Sequence, residues 1–278
     1  MKITAGIDIG STYTKTVLLD EERRILARHM QPTGFKLPEV AKRTFLHCVE
    51  SAGIQEEDVK YVVSTGMGRH MVDFKNVHAT DLTAAARGAA FLFPGTRTVL
   101  DIGGQTMKAS RLDDTARVKS FRLNDKCAAG TGAFLEKTAR YMGFNTEEIS
   151  ALLSTSKEPA SISGVCAVFA ESEVINQLSL GTPPADIMMG SLVSLVERAV
   201  QLMKRVKAQE EFTLIGGILR FSTMAKTVSD NLGTDANVPE GDLPQFVAAL
   251  GAAILGQIRL QMVSSDPAPS NVGAPVAP

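Results

Sequence analysis

The pattern of apolar and polar residues at the start of the chain predicts three successive β-strands. Isoleucines flank Asp8 within residues 3–9, the small polar residues 10–12 form a tight turn, and β character resumes at residues 16–19. Residues 25–30 predict the third strand. Asp8 is therefore expected to stand at the end of a strand, directly before a turn.

The apolar spacing then changes to the period of a helix. In residues 38–52 the apolar side chains recur on one helical face, and Gly53 ends the segment. A strand at residues 59–64 and an Ala-rich helix at residues 80–92 follow. This order of elements indicates an α/β fold.

Residues 98–108 repeat the pattern of residues 3–15. Each copy has an apolar strand, the tripeptide Asp-Ile-Gly, a polar turn and a lysine a few residues later. An internal repeat of this kind suggests two related domains. We expect a first domain at residues 1–95, completed by the C-terminal helix at residues 245–263, and a second domain at residues 96–244.

The remainder of the pattern is mostly helical. The predicted helices are residues 132–142, 167–180, 186–206, 223–231 and 245–262, and the predicted strands are residues 118–124 and 212–217. Residues 264–278 are rich in Pro, Ala and Ser, which is typical of a disordered tail.

Composition narrows the possible functions. The chain has 278 residues, 44% of them hydrophobic, and a net charge of −1. This charge gives no electrostatic case for nucleic acid, and no apolar run reaches the length of a membrane span. The first residues lack the pattern of a signal peptide, and three cysteines fit reduced thiols or metal ligands better than a disulfide framework. We expect a cytoplasmic protein.

The two Asp-Ile-Gly turns are candidate phosphate sites. Glycine lets the backbone approach an oxyanion, turn amides and hydroxyls can donate to it, and a lysine such as Lys15 can neutralise its charge. Asp8 can hold Mg²⁺ through waters, and Gly216-Gly217 offers a third close approach, suited to adenosine. One such turn alone is more often an ordinary turn; two copies with a downstream Gly-Gly favour a nucleotide cleft. The sequence contains no P-loop motif.

Two cysteines stand just before predicted helices. Cys127 and Cys166 each lie near a helix N-terminus, where free amides and the helix dipole favour an anionic ligand such as a thiolate-bound cluster. A [4Fe–4S] cluster usually takes four cysteines, which two chains paired about a twofold axis would supply. The alternative is a pair of ordinary buried thiols. Cys48 lies within a predicted helix and is assigned to packing.

Together these motifs resemble a known family. The two turns and Gly216-Gly217 resemble the nucleotide motifs of the acetate-kinase/sugar-kinase/Hsp70/actin superfamily. Residues 124–132 and 168–174 resemble the BcrAD/BadFG-type ATPases, which include activators of 2-hydroxyacyl-CoA dehydratases and ATP-binding subunits of class I benzoyl-CoA reductase. The resemblance implies two duplicated ribonuclease-H-like domains with ATP in the cleft between them.

The resemblance also implies roles for single residues. Cys127 and Cys166 match the ligands of a [4Fe–4S] cluster that two subunits share. The residues that match the phosphate and Mg²⁺ region are Asp8, Gly10, Ser11, Thr12, Lys15, Asp101, Gly103, Gly104 and Gln105. Arg220 and Gln245 fall where the family contacts nucleotide, and either Gln105 or Asp81 orients the attacking water. Thr106 departs from the acidic residue expected after Gly-Gly-Gln, and Asp81 stands where a glutamate is expected.

The expected function is that of an ATP-driven electron activator. The resemblance implies a second ATPase subunit, related or identical, as partner, together with a catalytic CoA-thioester reductase or dehydratase and ferredoxin as electron donor. Benzoyl-CoA reductase is the first choice of system, and a homodimeric dehydratase activator is the alternative. A small-molecule kinase or an actin-like scaffold of the same fold would need no iron.

Overall fold

A computed structural model describes residues 2–124, 131–162 and 167–265. Its first sheet has five strands in the order β3-β2-β1-β4-β5. They are β1 (Ile3–Ile9), β2 (Tyr13–Leu19), β3 (Ile25–Pro32), β4 (Val59–Gly66) and β5 (Val77–His78). The first three strands are antiparallel neighbours, whereas β4 pairs with β1 in parallel.

The second sheet repeats this arrangement with four strands in the order β8-β7-β6-β9. They are β6 (Thr98–Ile102), β7 (Met107–Leu112), β8 (Val118–Asn124) and β9 (Phe212–Ile215). Again the first three strands, β6, β7 and β8, pair in antiparallel fashion, and β9 pairs with β6 in parallel. The repeat seen in the sequence is therefore a repeat of sheet topology.

Eight α-helices accompany the sheets in the described part of the chain. They are α1 (Leu37–Ser51), α2 (Asp81–Leu92), α3 (Gly132–Tyr141), α4 (Ile149–Thr155), α5 (Ala167–Ser179), α6 (Pro184–Arg205), α7 (Ser222–Leu232) and α8 (Val247–Ser265). Helix α6 begins with Pro184, which lacks an amide hydrogen that the first helical position would leave unbonded in any case.

The first sheet packs against α1 on one side and α8 on the other. Phe45 and Cys48 of α1 are buried against the strands. Helix α8 approaches β1 so closely that Gly6 has no room for a side chain beside the backbone of Ala249. The hydroxyl of Thr4 also donates to the carbonyl of Ala253 at 3.1 Å. Helix α8 thus contacts the first sheet from the far end of the chain, and the limits of the two domains at residues 95 and 244 stay a prediction.

A second and larger core lies under the other sheet. It combines α6 with buried side chains of α3, α5 and α7 and of strands β6, β7 and β9. Asp186 near the start of α6 fastens the preceding loop, because its Oδ1 accepts bonds from the Ser156 hydroxyl and the Lys157 and Glu158 amides at 2.8–3.0 Å. This core supports the helices that follow the two cysteine segments.

Some elements differ from the predicted ones. The two-residue strand β5 and the seven-residue helix α4 carry too short a pattern to be noticed in the sequence. Gln245 lies in a 3₁₀ turn, Leu243–Gln245, and α8 starts two residues later. Helix α8 continues to Ser265, so residues 264 and 265 of the predicted tail are helical, and residues 266–278 lie outside the described residues.

Candidate nucleotide-binding site

The first candidate turn joins β1 to β2. The amide of Gly10 donates to the carbonyl of Tyr13 at 3.1 Å, and a Cβ at Gly10 would lie only 2.8 Å from that oxygen. Lys15 stands opposite Asp8 in the strand ladder, and its Nζ lies 3.1 Å from Asp8 Oδ2. The antiparallel register thus sets a cation beside a carboxylate at the end of the sheet.

The second turn has the same construction. Gly103 donates to the carbonyl of Thr106 at 2.9 Å, and Lys108 stands opposite Asp101 in the ladder. Here the lysine has two carboxylate partners. Its Nζ lies 2.7 Å from Asp81 Oδ2, at the first residue of α2, and 3.6 Å from Asp101 Oδ2. Lys108 therefore links the second sheet to the start of α2.

The charges of this cluster shift each other's pKa values. Burial and the nearby carboxylates of Asp81 and Asp8 raise the pKa of Asp101 above its ordinary value, although Lys108 opposes this. Burial also opposes ionisation of Asp81, yet Lys108 outweighs it and lowers the pKa of Asp81. The pKa of Lys108 is raised, because Asp101 and Asp81 outweigh the effect of burial. Lys108 is therefore the cation that keeps Asp81 ionised.

The two turns face each other closely. A Cβ on Gly104 would collide with the Thr12 hydroxyl oxygen, so only glycine fits there without displacing Thr12. Thr12 belongs to the first turn and Gly104 to the second. A group held by the amides of one turn would consequently lie within reach of the other.

A third glycine turn follows β9. Gly216 has a φ of 103°, its amide donates to the carbonyl of Pro244 at 2.9 Å, and a side chain there would collide with the Ile102 carbonyl. A Cβ on Gly217 would lie 3.6 Å from Gln245 Oε1. At Gly216, only a residue without a side chain allows the backbone to pass this close to Ile102.

These three turns line one cavity of about 290 Å³. The structure brings thirteen of the predicted site residues to its wall: Asp8, Gly10, Ser11, Thr12, Lys15, Asp81, Asp101, Gly103, Gly104, Gln105, Gly216, Gly217 and Gln245. Arg220 ends the 3₁₀ turn Gly217–Arg220 that follows the third glycine turn. Cys127 and Cys166 lie outside the described residues.

Other wall residues were not predicted. Lys108 could have been found from the repeat, because it occupies the position of Lys15 in the second copy. Glu136 stands four residues after Gly132, on the cavity side of α3. Tyr13 and Phe221 also line the cavity, and the sequence carries no local signal for either role.

Backbone hydrogen bonds tie the second turn to α3. Gly132 and Ala133, the first residues of this helix, donate to the carbonyls of Gly103 and Gly104 at 3.0 and 2.8 Å. Helix α3 directly follows the segment that contains Cys127. It lies beside α5, since Lys137 Nζ is 2.7 Å from Glu171 Oε2. Helix α5 in turn starts one residue after Cys166.

The described residues contain no cluster of three or more His, Cys, Asp or Glu side chains arranged to ligate a metal ion directly. Three carboxylates nevertheless line the cavity close to the two glycine turns, which fits a Mg²⁺ held through waters and phosphate oxygens better than one held by protein ligands alone. Among the described residues, none of the helices combines the length and the apolar composition of a membrane span.

Two related α/β halves with paired glycine turns facing one cavity define a protein of the actin, Hsp70 and sugar-kinase fold. The model of the BadF/BadG/BcrA/BcrD ATPase family matches residues 5–256. The chain therefore belongs to this ATPase family.

Two curated relatives match over nearly their full length. The 2-hydroxyisocaproyl-CoA dehydratase activator of Clostridioides difficile is 38% identical over 253 residues, 90% of this chain and 93% of the activator. One of the benzoyl-CoA reductase subunits of Thauera aromatica is 36% identical over 273 residues, 93% of this chain and 94% of its own length. Relatives of both systems are thus similar at comparable identity.

A solved structure matches the fold closely. The activator of the 2-hydroxyisocaproyl-CoA dehydratase from Clostridium difficile, determined with bound ADPNP, superposes with a TM-score of 0.89 at 36% identity. The match covers 98% of this chain and 100% of that one.

Proposed function

We propose that this chain is an ATP-hydrolysing electron activator that shares a [4Fe–4S] cluster with a second subunit and delivers low-potential electrons to a CoA-thioester reductase. The observation that carries the proposal is the pair of backbone bonds from Gly132 and Ala133 to the turn at Gly103-Gly104. These bonds join one of the two candidate phosphate-binding turns directly to the helix that follows the segment containing Cys127.

The nucleotide would lie along the cavity. The turns at Gly10–Thr12 and Gly103–Gln105 would hold its phosphates, and Gly216-Gly217, Gln245 and Arg220 would surround the adenosine. The ADPNP bound to the similar dehydratase activator supports a nucleotide in this fold. Asp8 and Asp101 would hold Mg²⁺ through waters.

Hydrolysis would depend on positioning and charge neutralisation. Lys15 and Lys108 are the two ammonium groups on the described wall of the cavity. Asp81, whose pKa Lys108 lowers, is a carboxylate able to accept a hydrogen bond from the attacking water. Gln105 lies on the same wall and can orient this water by its side-chain amide.

Cys127 and Cys166 of each of two subunits would hold the cluster. When bound, it supplies one-electron transfer at a potential that depends on surrounding charges and hydrogen bonds. This chain would transmit a movement to the cluster. When the Gly103-Gly104 turn shifts on nucleotide binding or hydrolysis, its hydrogen bonds to the first amides of α3 move the helix with it. Lys137 and Glu171 carry that movement to α5.

The catalytic partner is proposed to be class I benzoyl-CoA reductase, with ferredoxin as the electron donor. The second candidate is a 2-hydroxyacyl-CoA dehydratase, since the similar solved structure is an activator of that system. Mixing the purified activator with each catalytic component, under reducing anaerobic conditions with ATP, separates the two. Turnover of only one substrate class identifies the partner.

Anaerobic purification followed by iron and acid-labile sulfide analysis tests the core of the proposal. We expect about four iron atoms and four sulfides per pair of chains, and loss of both in Cys127→Ala and Cys166→Ala. Cys48→Ala serves as the matched control and keeps the cluster, because Cys48 is buried in another part of the fold. An iron-free protein that still hydrolyses ATP, or a full cluster in either of the first two variants, would refute it.

A further inference from the structure

One carboxylate of the cavity takes no part in its charge cluster. The charged residues on the described wall are Asp8, Lys15, Asp81, Asp101, Lys108 and Glu136. The first five form ion pairs or shift one another's pKa values. Glu136 is half-buried, and its carboxylate meets no cationic partner among the residues that the structure describes.

The position of Glu136 follows from the bonds that fix α3. The amide of Gly132, the first residue of the helix, donates to the carbonyl of Gly103 in the second candidate phosphate-binding turn. Glu136 comes four residues later, which places its Cα about 6 Å further along the helix axis. It still faces the cavity. Gly217 and Gln245, in the region proposed for adenosine, line the same cavity.

The charge of Glu136 restricts what it can contact. The aspartates beside the two turns are balanced by Lys15 or Lys108. A carboxylate without such a cation repels phosphate groups, which argues against a place for Glu136 at the phosphate end of the site. An ionised carboxylate only accepts hydrogen bonds, and its partner must be a donor. Between the triphosphate and the base of a nucleotide, the neutral donors are the ribose hydroxyls. Carboxylates serve this purpose in dinucleotide-binding sites of other folds.

We propose that Glu136 accepts hydrogen bonds from the ribose 2′ and 3′ hydroxyls and makes the site selective for ribonucleotides. This inference rests on the proposed nucleotide site, and it is independent of the cluster and of the catalytic partner. Because Glu136 lies on α3, the sugar would be bound by the same helix that holds the Gly103-Gly104 turn.

Isothermal titration of the purified protein with Mg·ATP and with Mg·2′-deoxyATP tests the inference. We expect the unmodified chain to prefer ATP on the order of 10- to 100-fold, the range of a hydrogen bond to a charged group. Glu136→Ala should bring the affinities for the two nucleotides close together, because ATP loses both hydrogen bonds whereas 2′-deoxyATP loses only the one from its 3′ hydroxyl and is weakened less. Glu147→Gln, at an exposed residue after α3, is the control and keeps the preference.

Equal losses for both nucleotides in Glu136→Ala would show a merely structural role and overturn the inference. An unchanged affinity ratio with a lower kcat would assign Glu136 to the attacking water, which also overturns it. Lost discrimination against inosine triphosphate instead of 2′-deoxyATP would place Glu136 at the base and overturn it as well. If the unmodified chain binds neither nucleotide, the proposed nucleotide site itself is wrong.

Discussion

Lys108 and Asp81 form an ion pair of 2.7 Å that joins β7 to the first residue of α2. The pair lies in the cavity wall beside Asp101. It therefore connects a strand of the second sheet to a helix that follows the last strand of the first sheet.

Replacing Lys108 tests the electrostatic role of this pair. In Lys108→Met, burial is opposed only by the Leu82 amide and the charge of Arg69, so the pKa of Asp81 rises. If ionised Asp81 supports hydrolysis, activity appears only at higher pH. The acidic limb of kcat/KM for ATP should move to higher pH. The pH profile of ATPase activity measures this shift.

Lys119→Met is the matched control, because Lys119 is exposed on β8 and outside the cavity. It should leave the pH profile in place. An unmoved acidic limb in Lys108→Met would show that neither carboxylate beside Lys108 controls hydrolysis.

The crossing of α2 and α8 gives a prediction about stability. Added Cβ atoms at Gly88 or Gly251 would collide with the backbone of the facing helix, at Val247 and Ala84 respectively. Gly251→Ala should therefore destabilise the fold by about 1–3 kcal/mol through overpacking. Urea unfolding followed by circular dichroism measures the change.

A second glycine on the same helix provides the comparison. The three atoms nearest to a Cβ on Gly256 would all belong to side chains, at 3.3–3.6 Å. Gly256→Ala should change stability little, or raise it by up to about 1 kcal/mol through helix propensity. Equal losses in the two variants would contradict the packing explanation.

The link between the second turn and α3 can be cut at Gly132. Proline suits this first helical position, and the preceding Thr131 has the extended backbone that a following proline prefers, with φ −141° and ψ 165°. Gly132→Pro removes the donor to Gly103 and puts a ring carbon in its place. ATP hydrolysis should continue, while ATP-dependent electron delivery should fall at least about tenfold, the effect of losing a bond worth about 1.4 kcal/mol.

Gly132→Ala keeps the amide and has room for its Cβ, 3.4 Å from the Gly103 carbonyl, so it should retain both activities. Electron delivery per ATP hydrolysed, measured with a dye acceptor, compares the two variants. If a folded Gly132→Pro protein delivers as many electrons per ATP hydrolysed as the unmodified chain, the proposed mechanism loses its main support.

Cys48 should be chemically inert in the folded protein. Its thiol is buried and donates weakly to the Thr16 carbonyl at 3.6 Å, and burial raises its pKa to about 12. A variant in which Cys127 and Cys166 are both Ala retains Cys48 as its single thiol. It should not react with a thiol reagent at about pH 8, near the ordinary pKa of a free thiol, until it is unfolded. Rapid labelling of the folded variant would show that the thiol is accessible.

The sequence predicted the parts of the site that lie on repeated local patterns. Asp8 with Lys15, and Asp101 with its turn, could be recognised because strand, glycine turn and lysine occur twice at the same spacing. The bond from Lys108 to Asp81 could not, since it depends on where α2 begins relative to the second sheet. Glu136 belongs to α3, whose orientation is set by backbone bonds to a turn that lies well before it in the chain.

The packing of the C-terminal helix was likewise only partly predictable. Its apolar composition predicts burial, but the glycine contact between Gly88 and Gly251 is a relation between segments far apart in the chain. The periodicity of one segment carries no information about such a partner.

The acidic character of the cavity has a consequence for how a nucleotide is bound. On the described wall, four carboxylates face two ammonium groups, so the protein itself brings a formal charge of −2 to a ligand that is also an anion. Coulomb repulsion then disfavours free ATP. In the proposed function, Mg²⁺ supplies the counter-charge that lets the nucleotide enter, and each phosphate released relieves part of the repulsion. The apparent affinity of this site for ATP should accordingly depend strongly on the concentration of free Mg²⁺.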